Sequence, residues 1–186
     1  SNLASLFVEH TAKTYPRSKE SLQVALIMGS GDILAQTIAE KKELTSIDWV
    51  RTGKFAGLGF VIVAPMLRTW YGILEQRIAQ NQSRLKRTLK KVALDQSCFA
   101  PVFTAFITTC VNLMNGMSLQ ENRRSLEQKY VSIMKVNYML WPMTQIINFG
   151  FLPLQYQVVF AQVVALFWNM YLSLKINEKA DVKLSN

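Results

Sequence analysis

Charged residues are scarce in this chain: they make up 18% of the sequence, below the roughly 25% of an ordinary soluble domain. They are absent from Val136 to Leu174 and from Gln96 to Gln120. A soluble domain rarely keeps charge out of runs this long, because its surface and loops require solvation. Since about 20 apolar residues cross a bilayer as a helix, these runs predict membrane-spanning helices.

Cysteine and histidine are equally sparse. The two cysteines, Cys98 and Cys110, are too few for a disulfide framework. Both lie in an apolar segment, where we expect buried, reduced thiols. The single histidine, His10, has no Cys or His neighbour at metal-ligand spacing. We therefore predict no metal site and no cofactor.

Catalytic and targeting motifs are missing as well. The sequence contains no GxSxG, HExxH, P-loop or CxxC motif, and we predict that the protein is not an enzyme. The N-terminal residues lack the basic and apolar regions of a secretory signal. Glu9 interrupts any mitochondrial presequence pattern before Lys13 and Arg17. If the protein is imported into an organelle, we therefore expect its import signal to be internal.

The apolar segments predict an all-α integral membrane protein, with residues 1–186 forming a single membrane domain. We expect a compact bundle of four to five kinked transmembrane helices. A short amphipathic N-terminal helix, with Leu3, Leu6 and Phe7 at helical spacing, would lie on the membrane and end near Pro16. The last apolar segment would either span the membrane or pack obliquely at its interface. The predicted apolar helices cover about residues 22–39, 49–79, 92–116, 130–151 and 154–176.

Local signals mark several helix ends. Asp48 precedes the second apolar segment and is a predicted N-cap. Asn115-Gly116 is a stop signal. Ser118 with Glu121 has the spacing of a capping box, which predicts a short polar helix before the charge-free run. Pro153 is expected to divide that run into two helices.

Polar side chains recur inside the apolar segments. Ionisable groups at membrane depth are expensive, and they commonly line ion or solute pathways. The alternative is that they pair with one another and fix helix packing, and the sequence leaves both interpretations open. The candidates are Asp32, Gln36, Arg68, Asp95, Gln96, Gln145 and Asn148.

A second set of residues is expected to bend or pack the helices. Glycines four apart allow close helix contact, and proline removes a backbone donor and kinks a helix. The set comprises Gly53, Gly57, Pro65, Pro101, Trp141, Pro142 and Pro153.

Basic residues give the chain a formal net charge of +9. They cluster between apolar segments rather than along one face with interleaved aromatics, so we expect no direct nucleic-acid binding. The segment from Arg77 to Lys91 contains six basic residues and no acidic residue. We predict a loop that contacts anionic lipids, or a binding site for small ions or anionic metabolites. A homo-oligomer is a further expectation.

Several ordered motifs resemble those of one protein family. They are Gly29–Gln36 (G-x-G-D-x-x-x-Q), Pro65–Tyr71 (P-x-x-x-x-W-Y), Asp95-Gln96 with Pro101, Trp141–Pro153 (W-P-x-x-Q-x-x-N-F-x-x-x-P) and Trp168–Ser173 (W-x-x-Y-L-S). On these motifs the chain resembles the Mpv-seventeen family of small integral membrane proteins, which includes the twenty-two-kilodalton peroxisomal membrane protein. The residues Asn115-Gly116 and 137–153 are most similar to the family's mitochondrial member. The chain departs from many members at Ala64, Arg68 and Gln157, where they have Gly, His and Arg.

The resemblance implies a mitochondrial inner-membrane protein, with the peroxisomal membrane as the alternative location. It implies a weakly selective, gated channel that modulates membrane potential. It also implies roles in mitochondrial DNA maintenance and in deoxynucleotide and reactive-oxygen homeostasis. The alternative is a non-transporting membrane scaffold that binds a partner complex.

Overall fold

A computed structural model gives the structure of the protein and describes residues 3–78 and 81–168, apart from the side chains of residues 3–17 and 39. These residues form five long helices and no strand, which confirms the all-α prediction. Helix α1 covers Leu3–Leu34 and continues through a π-helical turn at Ala35–Ala39. A short 3₁₀ helix, Leu44–Ser46, follows and precedes the remaining helices. These are α2 (Trp49–Arg77), α3 (Arg84–Met114), α4 (Leu119–Phe151) and α5 (Leu154–Trp168).

Two predicted short helices are parts of longer ones. The prediction of a separate N-terminal helix ending near Pro16 is wrong, because α1 runs through that proline. The prediction of a separate polar helix after Ser118 is also wrong, because α4 continues without a break to Phe151. Proline removes one hydrogen bond without ending every helix, and the polar segment of α4 contains no Gly or Pro. The placement of the N-terminal residues on the membrane stays a prediction.

The predicted basic loop is mostly helical. Helix α3 begins at Arg84, directly after Ser83 at the N-cap position, so Arg84 to Lys91 form its first two turns. Lys and Arg are good helix formers. They do not produce an apolar pattern, so a prediction based on apolar periodicity places the beginning of the helix too late. Helix α2 ends at Arg77, and α3 begins at Arg84.

The predicted helix-end signals are found where expected. The Asp48 carboxylate accepts a hydrogen bond from the Arg51 amide at 2.9 Å. Ser118 and Glu121 form both halves of a capping box, and these hydrogen bonds, first from the Ser118 main chain and then from its side chain, lower the pKa of Glu121. Gly116 has a positive φ of 84°, which glycine adopts without strain. Pro153 lies between α4 and α5.

Two prolines follow π-helical turns at the same spacing. The turn at Gly59–Val63 precedes Ala64-Pro65, and the turn at Asp95–Phe99 precedes Ala100-Pro101. A proline ring clashes with the carbonyl four residues earlier, and a wider turn relieves that clash. Pro142 lies inside α4 without a π-helical turn, and a kink there stays a prediction.

Two of the described helices, α2 and α3, are long and apolar enough to cross a membrane by length and composition. Helix α5 is apolar but shorter as far as it is described. The count of four to five spans therefore stays a prediction. Contacts divide the chain into two compact units, Ser1–Gly72 with Val158–Asn186 and Ile73–Gln157. The single-domain organisation also stays a prediction.

In the first unit, α1 and α2 approach each other at small residues. A Cβ added to Gly59 would lie 2.8 Å from Met28 Sδ and 3.3 Å from the Ala25 Cα. A Cβ on Gly29 would touch Ala56 at 3.5 Å. The close packing expected at Gly53 and Gly57 is not found there, because an added Cβ at either position meets no atom within 4 Å.

The second unit packs α3 against α4. A Cβ on Gly150 would lie 3.4 Å from the Thr88 methyl group, so glycine permits this approach. Asn112 donates to the Asn122 side-chain oxygen at 2.8 Å, which links the end of α3 to the beginning of α4. The prediction of a buried thiol at Cys98 is wrong, because its side chain is exposed, while Cys110 is half-buried. An exposed thiol on an apolar helix is compatible with a lipid-facing surface.

Candidate functional site

Asp32 is the centre of a hydrogen-bonded network in the first unit. Its carboxylate accepts hydrogen bonds from Gln36 Nε2 at 2.8 Å, Thr52 Oγ1 at 2.7 Å and Arg51 Nε at 2.7 Å. The residue is 5% exposed. A buried carboxylate is stable only when charge and hydrogen bonds compensate for its lost solvation, and here one cation and two neutral donors do so.

Gln36 attaches the end of α1 to the beginning of α2. Its side-chain oxygen accepts from the Asp48 amide at 2.8 Å, and its nitrogen lies 3.2 Å from the Asp48 main-chain oxygen. The side-chain amide thus pairs with both main-chain polar groups of Asp48, as a residue on a neighbouring antiparallel strand would. Lys42 also donates to the Gln36 oxygen, at 3.3 Å. These contacts fix the turn between the two helices.

Arg51 joins Asp32 to a second carboxylate outside the apolar segment. Its Nη1 lies 2.6 Å from Glu40 Oε1, and Lys42 Nζ lies 3.0 Å from the other Glu40 oxygen. Burial opposes ionisation of Glu40, but the hydrogen bonds and charges of Lys42 and Arg51 outweigh it and lower the pKa of that carboxyl. Two carboxylates and two cations therefore balance each other in this network.

Arg68 belongs to a different ion pair. Its Nη1 donates to Glu20 Oε2 at 2.6 Å, linking α2 to the middle of α1. The structure therefore brings together Asp32 and Gln36, as their helical spacing predicts. The two ion pairs are separate: Asp32 pairs with Arg51, and Glu20 pairs with Arg68.

A second network in the other unit joins Asp95 to α4. Gln96 Nε2 and Gln145 Nε2 donate to Asp95 Oδ2 at 2.7 and 3.0 Å. Asn148 Nδ2 in turn donates to Gln145 Oε1 at 2.8 Å. All four residues are buried. The structure thus unites four predicted site residues around one carboxylate, between a π-helical turn and the face of α4.

Two of the three side-chain amides in this network have an oxygen without a partner. Gln96 Oε1 and Asn148 Oδ1 are buried and accept no hydrogen bond. On α4, Trp141 Nε1 lies one turn before Gln145 and Asn137 Oδ1 two turns before it, and both are buried without a partner as well. Buried polar atoms are nearly always satisfied by protein, water or ions. Asn137, Trp141 and Asn148 thus form a polar face on α4, and Gln96 adds a further unpaired oxygen from α3.

The sequence argument missed several members of the two networks. Arg51 and Thr52 were not assigned to the Asp32 site, and Glu20 was not assigned to Arg68, because these partners lie on other helices. Asn137 was missed too, although a signal existed: positions 137, 141, 145 and 148 recur at helical spacing and all carry polar atoms. Within the described residues, no three His, Cys, Asp or Glu side chains come close enough to hold a metal ion.

Comparison with known proteins gives a consistent match over most of the chain. The chain is 43% identical to the Mitochondrial inner membrane protein Mpv17 of Drosophila melanogaster over 159 residues, which are 86% of this chain and 95% of that protein. The corresponding rat protein is 37% identical over 88% of this chain and 92% of its own length. Protein SYM1 of Gibberella zeae is 35% identical over 85% of this chain and 89% of its own length.

The profile of one family also matches the chain. The Mpv17 / PMP22 family profile matches residues 112–173, which include α4 and its polar face. No solved structure matches the chain.

Proposed function

The chain belongs to the Mpv17 / PMP22 family and is a protein of the mitochondrial inner membrane, and from this we propose that it forms a weakly selective, gated channel. Such a channel would modulate the membrane potential. Through that control it would support mitochondrial DNA maintenance and the homeostasis of deoxynucleotides and reactive oxygen species. The protein would act without catalysing a reaction.

One observation carries the proposal: the polar face of α4 has buried atoms that the described chain leaves without hydrogen-bond partners. Asn137 and Asn148 of α4 and Gln96 of α3 each have an unpaired acceptor oxygen, and Gln96 also donates to the Asp95 carboxylate. Carboxylate and amide oxygens favour cations. We therefore expect a pathway that conducts cations somewhat better than anions.

The π-helical turn at Asp95–Phe99 offers a place for gating. It sets the position of Asp95 and Gln96 on α3, and π-helical turns are frequent at functional sites. A change in this turn would rotate both side chains relative to α4. The gate would therefore be part of the site itself.

A membrane scaffold is the second candidate function. The observation that favours it is the balanced network around Asp32, in which the charges satisfy one another as in a structural ion cluster. In a scaffold, both networks would only fix the helices. The two functions differ in whether ions move through the protein.

Planar-bilayer recording of the purified protein distinguishes them. The wild type should conduct, and its reversal potential in a salt gradient should report a modest preference for cations. Asp95→Asn and Asn148→Leu should shift that potential or lower the conductance. A buried residue of α4 with satisfied partners provides the matched control: Asn122 exchanges hydrogen bonds with Asn112 and Thr109.

The control variant Asn122→Leu should fold less stably but keep the wild-type ion preference. Absence of conductance at every voltage and redox condition would reject the channel and leave the scaffold. The same conclusion follows if the Asp95 and Asn148 variants conduct with unchanged ion preference.

A further inference from the structure

A cavity of about 540 Å³ lies within the second unit, where α3 begins and α4 ends. One wall is a single face of α3, with Arg84, Arg87, Thr88 and Lys91 at helical spacing. Glu75 of α2 contributes from one side, and the residues from Phe149 to Leu154 form an apolar wall. The volume falls within the usual range for small-molecule sites, roughly 300–1,000 Å³.

The cavity has three cations and one carboxylate in its lining. Glu75 is shared: one oxygen accepts from Arg87 Nη2 at 2.8 Å, and the other pairs with Lys91 Nζ. Arg84 donates to the main-chain oxygen of Gly150, and its guanidinium lies 5.1 Å from the Phe151 ring centre. A single carboxylate cannot balance three cations, so the cavity keeps an excess of positive charge.

Burial makes this excess costly. Lys91 is only 3% exposed, and its ammonium lies 5.9 Å from the Phe149 ring centre. Arg87 Nε is buried and has no hydrogen-bond partner. Removing cations from water is unfavourable unless opposite charge compensates. An anion in the cavity would provide that charge.

The chemistry of the lining indicates which anion fits. Two arginine side chains one turn apart present planar, forked donors, which match the oxygens of phosphate. The adjacent apolar wall suits a ligand whose phosphate is attached to a nonpolar part. Lys86 and Lys90, in the same two turns, do not line the cavity and are exposed. The charge is therefore directed into the cavity by helix geometry.

From this geometry we infer that the cavity binds a phosphate ester, with its phosphate between Arg84, Arg87 and Lys91 and its nonpolar part against Phe149–Leu154. Two sources share this chemistry: the headgroup of an anionic phospholipid and a soluble phosphate monoester. The binding does not depend on ion conduction, so it can be tested whether or not the protein is a channel.

The test uses the full chain in phosphatidylcholine nanodiscs. In one arm, calorimetric titration with adenosine monophosphate measures binding of a soluble monoester. In the other arm, nanodiscs containing phosphatidylglycerol are exchanged into detergent, and native mass spectrometry counts the lipids retained. Saturable binding in the first arm identifies a soluble ligand, and selective retention in the second identifies a lipid.

Two double variants remove the same charge from different faces of α3. Arg84→Gln/Arg87→Gln should weaken binding by about tenfold or more, since charged hydrogen bonds are lost. Lys86→Gln/Lys90→Gln should bind as the wild type does. Equal loss in both variants would mean diffuse surface attraction and would overturn the proposal, as would no binding in either arm.

A third variant covers the case in which the arginine double variant does not fold. Glu75→Gln removes the carboxylate that competes with the ligand for Arg87 and Lys91, so it should tighten binding several-fold. A purely structural role for Glu75 predicts lower stability with no gain in affinity. That result, together with unchanged binding by Arg84→Gln alone, would contradict the inference.

Discussion

The hydroxyl group of Tyr138 donates to the main-chain oxygen of Gln96, 3.0 Å away on a neighbouring helix. In a π-helical turn this oxygen would accept from the residue five positions later. That residue is Pro101, which has no N–H group. Since lipid offers no hydrogen bonds, an unsatisfied carbonyl in a membrane helix is costly. The tyrosine supplies the donor that the proline lacks.

Tyr138→Phe should therefore destabilise the protein by about 1–3 kcal/mol, the cost of leaving a buried acceptor unpaired. The measurement is the unfolding free energy in mixed detergent micelles. Pro101→Ala provides the control background, because an alanine N–H can replace the lost donor. In that background the cost of Tyr138→Phe should fall. Equal costs in both backgrounds would show that the hydroxyl acts elsewhere.

The ion pair between Asp32 and Arg51 should be strongly stabilising. Asp32→Asn removes the charge that compensates the buried part of Arg51, and we expect a loss of about 2 kcal/mol or more. Combining it with Arg51→Gln in a double-mutant cycle isolates the pair. The control is Arg123→Gln, which breaks a surface pair whose side chains are 81% and 60% exposed. The surface pair should contribute less than about 1 kcal/mol to the free energy of unfolding. An equally small coupling energy between Asp32 and Arg51 would contradict the prediction.

Glycines on α2 should differ sharply in their tolerance of a methyl group. Gly59→Ala should destabilise by about 1–3 kcal/mol, because the added Cβ meets the backbone of α1 at Val24 and Ala25 as well as Met28. Gly53→Ala and Gly57→Ala should be neutral or stabilise by up to about 1 kcal/mol through helix propensity. Thermal unfolding midpoints of the three variants test this, and a destabilising Gly53→Ala would indicate a packing partner at that face.

Glu40 should make stability dependent on acidity. Its pKa is lowered in the folded protein from the ordinary value of 4.5, so its contribution is complete above that value and is lost as the pH falls below it. Glu40→Gln should remove this part of the acid sensitivity. Unfolding measured across a pH series tests the prediction, with Glu43→Gln as the control because that carboxylate has an exposed contact with Thr45. Identical pH profiles for wild type and Glu40→Gln would contradict it.

Helix ends were predictable from the sequence where local chemistry defines them. Asp48, Ser118 and Pro153 act through their own side chains or rings within one turn of the chain. Apolar periodicity did not predict where α3 begins or how far α4 extends toward the N-terminus. Arg84 to Lys91 and the segment after Ser118 are polar helical residues, which carry no apolar pattern.

The site was predictable only as a set of residues. Asp32 with Gln36, and Gln145 with Asn148, follow from helical spacing on one face. The contacts from Gln145 to Asp95 and from Arg68 to Glu20 join residues 50 and 48 positions apart. Which faces of two helices meet depends on their packing, and no spacing rule gives it.

The π-helical turn before Pro101 has a consequence for the length of α3. Such a turn accommodates one residue more than the α-helix on either side of it. Deleting a single residue from Asp95–Phe99 would let the helix close into regular turns while both flanking segments keep their orientation. A deletion elsewhere in α3 would rotate everything beyond it by about 100°, the angle per residue of an α-helix. The chain thus has a point at which it tolerates a change of length in a helix that otherwise permits none.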